Sequence, residues 1–201
     1  MEDQNIKAGT LFLQNNDLVM KDIITKVGIC QLTPSTTYFK NIIRSIISQQ
    51  LSVKAAGTII KRFNDLVGEI NPENILKFTK SDFREVGISG QKASYILDIS
   101  NRIADKSFSF DNIIELQDEE LIEKITSLKG VGNWTAQMFL IFSLNRLNIL
   151  PLDDVGFQRA VCKYYKIEKA DFPKKILKIS KKWGNYKTLA VWYLWEALDI
   201  L

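Results

Sequence analysis

A chain of 201 residues that is 46% hydrophobic and 25% charged has the length and composition of an ordinary globular protein, with one well-buried domain or two lobes. Its formal net charge of +4 permits an anionic partner without requiring one. The sequence contains no histidine, which excludes Ser-His-Asp and Cys-His catalysis and argues against a zinc site.

Apolar residues recur at helical spacing along the chain, and no strand alternation or βαβ pattern appears. Residues 1–15 are polar and mixed, with a short apolar packing arm at 9–13. Helices are predicted over residues 17–27, 35–50, 53–67, a short stretch from 71, 81–86, 91–104, 118–125, 134–147, 154–165, 172–183 and 189–198. Ser52, Thr188 and either Asp153 or Asp154 are expected to cap the helices that follow them. The predicted fold class is all-α.

The two cysteines, Cys30 and Cys162, cannot supply the four thiolates of an iron–sulfur cluster. They form no pattern, and the sequence shows neither a signal peptide nor an apolar run of about 18 residues. These features predict a soluble intracellular protein with no metal site and no membrane contact.

Two glycines separated by one apolar residue, Gly130-Val131-Gly132, join the helix over 118–125 to the helix that begins near Trp134. Glycine adopts backbone conformations that are closed to other residues, so this spacing favours a tight reversal. The start of the second helix then offers N–H groups suited to a phosphate of a nucleic-acid backbone, a contact that holds a duplex without reading its sequence. Taken alone, such a turn is more often an ordinary structural link.

Five segments in order resemble the helix-hairpin-helix DNA glycosylase superfamily, and most of all its 3-methyladenine DNA glycosylase II branch. They are Ile46-Ile47-Ser48-Gln49-Gln50-Leu51-Ser52, Gly87-Ile88-Ser89-Gly90-Gln91-Lys92-Ala93, the hairpin with its flanks over 128–136, Leu152-Asp153-Asp154, and residues 183–188 with 192–195. In that superfamily an essential Asp follows an L-x-G-V-G hairpin by some twenty residues, and Asp154 lies 20 positions after Trp134. The resemblance implies a two-lobed helical bundle with a central active-site cleft. One lobe would span about 38–147, and the other 1–37 plus 148–201.

The resemblance also implies an activity. It predicts a monomeric, monofunctional glycosylase that flips alkylated bases out of duplex DNA and hydrolyses the N-glycosidic bond, with Asp154 as the catalytic carboxylate and Asp153 as its structural partner. Bifunctional relatives carry a nucleophilic lysine where this chain has Trp134, so no lyase activity is expected. No cofactor is implied, apart from a monovalent cation that the family places at the hairpin. The site of action would be the cytoplasm with its nucleoid, or the nucleus in a eukaryote.

Matching positions give the remaining candidate residues. Base-pocket residues are predicted to be Trp134, Met138, Trp192 and Val155, although Trp134 and Trp192 are as readily core residues, and Met138 and Val155 stand where the family often has aromatics. Predicted DNA-binding residues are Gln49, Gln50, Leu51, Gly130, Val131, Gly132, Thr135, Lys92 and Lys187. Either Gln50 or Leu51 would be the wedge that fills the gap left by the flipped base; without the family, residues 48–52 are simply a loop between helices. Lys92 either reaches a phosphate or lies in solvent.

Two alternatives remain open. One is a glycosylase for deaminated or oxidised bases, and the other is a helix-hairpin-helix DNA-binding module without catalysis. An Asp at position 154 argues against the module, because phosphate binding gains nothing from an anion in the cleft.

Overall fold

The structure of the protein, a computed structural model, describes residues 2–200, and the side chains of all of these except residues 2, 3 and 53. Twelve α-helices account for most of this range, together with short 3-10 turns, and no strand occurs within it. The helices are α1 (Glu2–Asn16), α2 (Leu18–Val27), α3 (Tyr38–Ser48), α4 (Val53–Val67), α5 (Pro72–Ile75), α6 (Lys80–Glu85), α7 (Gly90–Ala104), α8 (Asp118–Thr126), α9 (Asn133–Phe142), α10 (Val155–Tyr165), α11 (Phe172–Ile179) and α12 (Lys187–Ile200). The all-α prediction is confirmed.

The chain divides into two compact units, and the division falls within α9. The first unit comprises residues 2–34 and 140–200 of the described chain, and the second comprises residues 35–139. The predicted lobes, about 38–147 and 1–37 plus 148–201, and the active-site cleft that they share stay predictions. Residues 1 and 201 of the second predicted lobe lie outside the described residues.

In the first unit, α12 is the central element, with α1, α2 and α10 packed on it. Its apolar residues lie on nearly every side, and eight consecutive or near-consecutive positions are buried: Thr188, Leu189, Ala190, Val191, Trp192, Tyr193, Leu194 and Ala197. A helix that is apolar all round is stable only when neighbours cover it on most sides. The first unit is therefore built around α12.

A buried polar network ties α2 to two later elements of the first unit. Asp17, which is 3% exposed, caps α2 by accepting hydrogen bonds from the backbone N–H groups of Val19 and Met20. Its other oxygen accepts from the Tyr165 hydroxyl at 2.8 Å and from the Trp183 indole N–H at 3.2 Å. These hydrogen bonds satisfy a buried carboxylate, which would otherwise destabilise the core.

The second unit packs α3 against α4 and α7, with α5 and α6 also lying on α7. The strongly amphipathic α3 buries Ile42, Ile43, Ile46 and Ile47 at helical spacing, as the sequence predicts. Ser52 caps α4 by accepting from the N–H of Ala55 at 3.3 Å, which confirms the predicted cap.

Three predicted elements differ in the structure. Residues 9–13 belong to helix α1 rather than to an arm, and Leu13 is fully buried. The helix predicted over 134–147 ends at Phe142, and Asn145 then adopts a left-handed backbone. Thr188 lies inside α12 and does not cap it: its hydroxyl donates to the carbonyl of Arg146 and accepts from the N–H of Ile149. Tertiary hydrogen bonds to Thr188 thus hold residues 146–149 outside helical conformation.

Candidate functional site

Asp154 is held at the start of α10 by two donors on one oxygen. Its Oδ1 accepts a hydrogen bond from the backbone N–H of Phe157 at 2.6 Å and another from the indole Nε1–H of Trp195 at 2.9 Å. The side chain is partly buried, whereas that of Asp153 is exposed. Asp154 therefore caps the helix itself, which is one of the two caps that the sequence left open, and the role of Asp153 as structural partner stays a prediction. The helix N-terminus also carries partial positive charge, which favours a carboxylate at this place.

Trp195 is a site residue that the sequence did not single out. Its ring stacks on Phe142, with the centroids 5.7 Å apart and the planes 20° from parallel, while its N–H reaches Asp154. Gly156 makes room for this contact, because a Cβ there would lie 3.2 Å from the Asp154 Oδ1 and 3.4 Å from the Trp195 Nε1. The available signal was the glycine two residues after the Asp, together with a second tryptophan in the last helix.

The hairpin between α8 and α9 requires its first glycine. Gly130 has a φ of +82°, in the left-handed region, and a Cβ at this position would overlap the ring of Tyr95. At Gly132 a Cβ would meet nothing within 4 Å, so the space beside it is open. Glycine therefore has a different role at each position. At Gly130 it allows the left-handed turn and the close contact with Tyr95, whereas at Gly132 it leaves the surface at the start of α9 free of a side chain.

Gln49 and Lys92 brace the hairpin and the loop that follows α3. The Gln49 side chain donates to the carbonyl of Gly130 at 2.9 Å and to the hydroxyl of Thr135 at 3.3 Å. The Lys92 ammonium donates to the carbonyls of Ile47 and Gln49 at 2.9 and 2.7 Å, at the C-terminus of α3. Lys92 therefore caps the end of α3 rather than lying free in solvent, and its contact with a phosphate stays a prediction. Burial lowers the pKa of this ammonium.

Gln50 and Leu51 project from that braced loop. Gln50 is exposed and has a left-handed backbone, with a φ of 58°, and Leu51 is 38% exposed. A non-glycine residue in this region of backbone space is uncommon, and it persists only where neighbours hold it. The loop therefore presents both side chains outward, and each stays a candidate for the predicted wedge.

The four predicted pocket residues fall into two classes. Trp134 is 37% exposed and Val155 is 65% exposed, while Met138 is partly buried on the same face of α9 as Trp134. Trp192 is only 8% exposed and packs edge-on against Tyr193, at a ring distance of 5.0 Å. Trp192 therefore occupies a core position, the alternative that the sequence left open.

Three further predicted DNA-binding residues make contacts within the protein, and their role at DNA stays a prediction. Val131 and Thr135 are 6% and 3% exposed, so their side chains pack inside the hairpin and leave only the backbone for a ligand. The Lys187 ammonium donates to the Asn148 side chain at 2.6 Å and to the carbonyl of Gly184 at 3.1 Å. Each of these residues supports the local fold.

Among the described side chains, no group of three or more acidic or cysteine residues is arranged to hold a metal ion. Burial raises the pKa of the Cys30 thiol to about 11, which keeps it protonated at neutral pH. Over the same residues, no helix has the length and apolar character needed to span a bilayer.

Comparisons with known proteins identify the family of this chain. The family model described as "HhH-GPD superfamily base excision DNA repair protein" matches residues 43–185. YfjP of Bacillus subtilis is 32% identical over 164 residues, which are 78% of this chain and 57% of that protein. The alkylbase DNA glycosidase-like protein mag2 of Schizosaccharomyces pombe is 30% identical over 97% of this chain and 95% of its own length. The solved structure of the S. pombe 3-methyladenine DNA glycosylase Mag1 in complex with abasic DNA is 30% identical, with a TM-score of 0.82, over 94% of this chain and 95% of that one.

Proposed function

Because this chain belongs to the HhH-GPD superfamily of base excision DNA repair proteins, we propose that it is a DNA glycosylase that removes alkylated bases of the 3-methyladenine type from duplex DNA. The relatives that support this substrate class are mag2 and Mag1 of S. pombe, each covered over 95% of its length. Damaged double-stranded DNA is then the partner, and the protein acts as a monomer.

The single observation that carries the proposal is the anchored carboxylate of Asp154. Cleavage of the bond between base and deoxyribose builds positive charge on the sugar, as in other glycosyl transfers. A carboxylate held in a fixed place stabilises that charge, and it can also orient the attacking water. The bonds from Phe157 and Trp195 both fall on Oδ1 and fix the orientation of the group before substrate binds.

The leaving group sets what else the site must supply. A purine alkylated at N3 or N7 carries a positive charge and departs as a neutral base, so it needs little proton donation. The sequence has no histidine to serve as a general acid. A site without this acid suits positively charged bases, which need little proton donation, and not neutral ones. This chemistry favours alkylated bases over deaminated or oxidised ones.

Extraction of the base requires a hold on the duplex. A flipped base costs a few kcal/mol of lost stacking and pairing, less when the pair is damaged. We assign the strand grip to the backbone N–H groups at the start of α9, beside the open surface at Gly132, and the wedge to Gln50 or Leu51. The exposed face of Trp134 offers a cationic base a cation–π contact of about 0.5–2 kcal/mol.

Two expected absences belong to the same proposal. Trp134 offers no amine at the position of the family's nucleophilic lysine, so the protein should form no Schiff base with an abasic site. Two cysteines cannot hold an iron–sulfur cluster. Borohydride trapping on an abasic duplex should give no covalent adduct, and a strong adduct would overturn the monofunctional assignment.

Asp154→Asn tests the proposed site. Asparagine is as good a helix cap as aspartate, so α10 is retained while the charge is lost. Release of free base from methylated duplex, measured in single turnover, should fall by about 10²–10³-fold, the size of effect seen when one electrostatic stabiliser is removed.

Asp153→Asn is the matched control, because it makes the same change at the exposed neighbour and should leave the rate within about twofold. Equal activity of Asp154→Asn and wild type would remove Asp154 from catalysis. DNA binding by the wild type without any base release would instead favour the non-catalytic module.

A further inference from the structure

Positive charge is concentrated in one short segment of the first unit. Residues 163–187 contain nine lysines and two acidic residues, a net charge of +7, whereas the whole chain carries +4. The other 176 residues therefore carry a net charge of −3. Most protein surfaces intersperse both signs, and a field of one sign steers a partner of the opposite sign.

Eight of these lysines are exposed, and together they form what we call the lysine face: Lys163, Lys166, Lys169, Lys174, Lys175, Lys178, Lys181 and Lys182. They occupy the end of α10, α11 and the 3-10 turns on either side of α11. Among the ion pairs within the described residues, one involves this face, between Lys175 and Asp171 at 2.7 Å. Little of its charge is neutralised by the protein itself.

The spacing of the lysines along α11 matches an extended anion. From Lys174 through Lys178 to Lys182, helical rises of about 1.5 Å per residue and 3-10 rises of about 2 Å give a span of roughly 13 Å. Duplex DNA carries one negative charge for about every 1.7 Å of its axis, so a face of this length adjoins several phosphates.

The apolar side of α11 argues against a membrane as the partner. Phe172 and Ile176, the apolar residues that an interfacial helix would insert into lipid, are 4% and 0% exposed. Leu177 is exposed, but a single leucine supplies little insertion energy. What the segment offers a partner is charge, without an apolar face.

The two lysines of the face at the end of α10 lie far from the candidate catalytic group. Asp154 stands at the start of α10, and Lys163 and Lys166 stand at its end, about 14 and 18 Å away along the helix axis. Cations at that distance, in water and at physiological salt, contribute little to charge stabilisation at Asp154. These two lysines therefore have a role other than charge stabilisation at Asp154.

We propose that the lysine face is an accessory surface that binds the phosphate backbone of duplex DNA without regard to sequence or damage. This proposal rests on the proposed function only in taking duplex DNA as the substrate, and it does not require that the protein release bases. Its effect is to hold the protein on undamaged DNA and to raise the rate of encounter with a lesion.

The test is the salt dependence of binding to an undamaged duplex, followed by fluorescence anisotropy. The variant carries Lys174→Gln, Lys178→Gln and Lys182→Gln, and the control carries Lys21→Gln, Lys26→Gln and Lys77→Gln, an equal loss of charge at exposed lysines elsewhere. Each phosphate contact contributes about 0.9 to the slope of log K against log [salt]. We expect the slope of the face variant to fall by about 2–3 and its affinity at 0.1 M salt to fall by about tenfold or more.

Base release from methylated duplex at saturating enzyme should be unchanged in the face variant, and the control should bind like the wild type. A salt-dependence slope equal to that of the wild type in the face variant would refute the proposal. An equal loss of slope in the control variant would refute it too, because the effect would then depend on total charge and not on this face. Binding to vesicles of anionic lipid that the face variant loses, with its DNA slope intact, would assign the face to a membrane instead. Because the duplex in the binding assay carries no lesion, the assay remains valid even if the protein proves not to be a glycosylase. If instead the lysine face proves not to bind DNA, base release from methylated duplex is unaffected.

Discussion

Trp195→Phe should slow base release while leaving the fold in place. Phenylalanine keeps an aromatic ring against Phe142, 5.7 Å away in the wild type, but it removes the N–H that donates to the Asp154 Oδ1 at 2.9 Å. The backbone N–H of Phe157 still donates to that oxygen at 2.6 Å, so the carboxylate keeps its cap and loses its second anchor.

The size of the effect follows from the strength of that bond. A hydrogen bond to a charged group contributes about 1.5–3 kcal/mol. If between about two thirds and all of this is lost at the transition state, the barrier rises by about 1–3 kcal/mol and the rate falls by about 5- to 150-fold. The loss should be smaller than that of Asp154→Asn, because the charge itself remains.

Single-turnover base release from methylated duplex, with enzyme in excess, measures this directly, and thermal unfolding shows whether the fold is retained. Trp192→Phe is the comparison, since it makes the same substitution one turn earlier on α12 at a residue that is 8% exposed. It should lower stability and change the rate by less than about threefold. The reverse ordering, with Trp192→Phe slow and Trp195→Phe close to wild type, would refute the assignment of Trp195.

Other substitutions test the hairpin and the buried network. Gly130→Ala should lower the free energy of unfolding by about 2–5 kcal/mol, through its left-handed backbone and the overlap with Tyr95. Gly132→Ala should change the free energy of unfolding by no more than about 0.5 kcal/mol but weaken binding to an abasic duplex. Thermal melts measure the stability and fluorescence anisotropy measures the binding. Wild-type affinity of Gly132→Ala for the duplex would contradict the proposed strand grip. Burial, and then the charge and hydrogen bond of Asp17, raise the pKa of Tyr165 above its ordinary value of about 10. Its contribution to stability is therefore complete below about pH 10 and lost above it, as the unfolded tyrosine ionises. Tyr165→Phe should be less stable than the wild type at pH 7, and its free energy of unfolding should fall less than that of the wild type between about pH 9 and 11. Chemical denaturation at each pH measures both effects. An alkaline loss of stability equal to that of the wild type would contradict the role of Tyr165 in the network.

The helices and the family were readable from the sequence because both depend on local patterns. Apolar spacing along α3 and the Ser52 cap are signals within one or two turns of chain, and both were confirmed. The family rested on five motifs in order, and the match over residues 43–185 confirms it. The roles of individual site residues stay predictions.

Tertiary contacts decided what the local patterns did not. Thr188 looked like a cap, but its hydroxyl binds the backbone of Arg146 and Ile149, some forty residues earlier in the chain. Helix α9 has already ended by then, where a left-handed Asn145 lets the N–H of Arg146 bond back to the carbonyl of Leu140. Lys92 was expected to reach a phosphate or to lie in solvent, but its ammonium donates to two carbonyls at the C-terminus of α3. In both cases a polar side chain has several possible partners, and its choice depends on which distant backbone groups the fold brings within hydrogen-bonding distance.

The candidate site shows the same division between local and tertiary information. The sequence by itself determined an all-helical chain, a glycine hairpin and an acidic residue at 154, because backbone preferences and motif spacing are properties of short segments. Only the tertiary structure decided that Trp195 rather than Trp192 contacts that acid, since two tryptophans three residues apart on one helix differ in nothing but the neighbours that packing gives them.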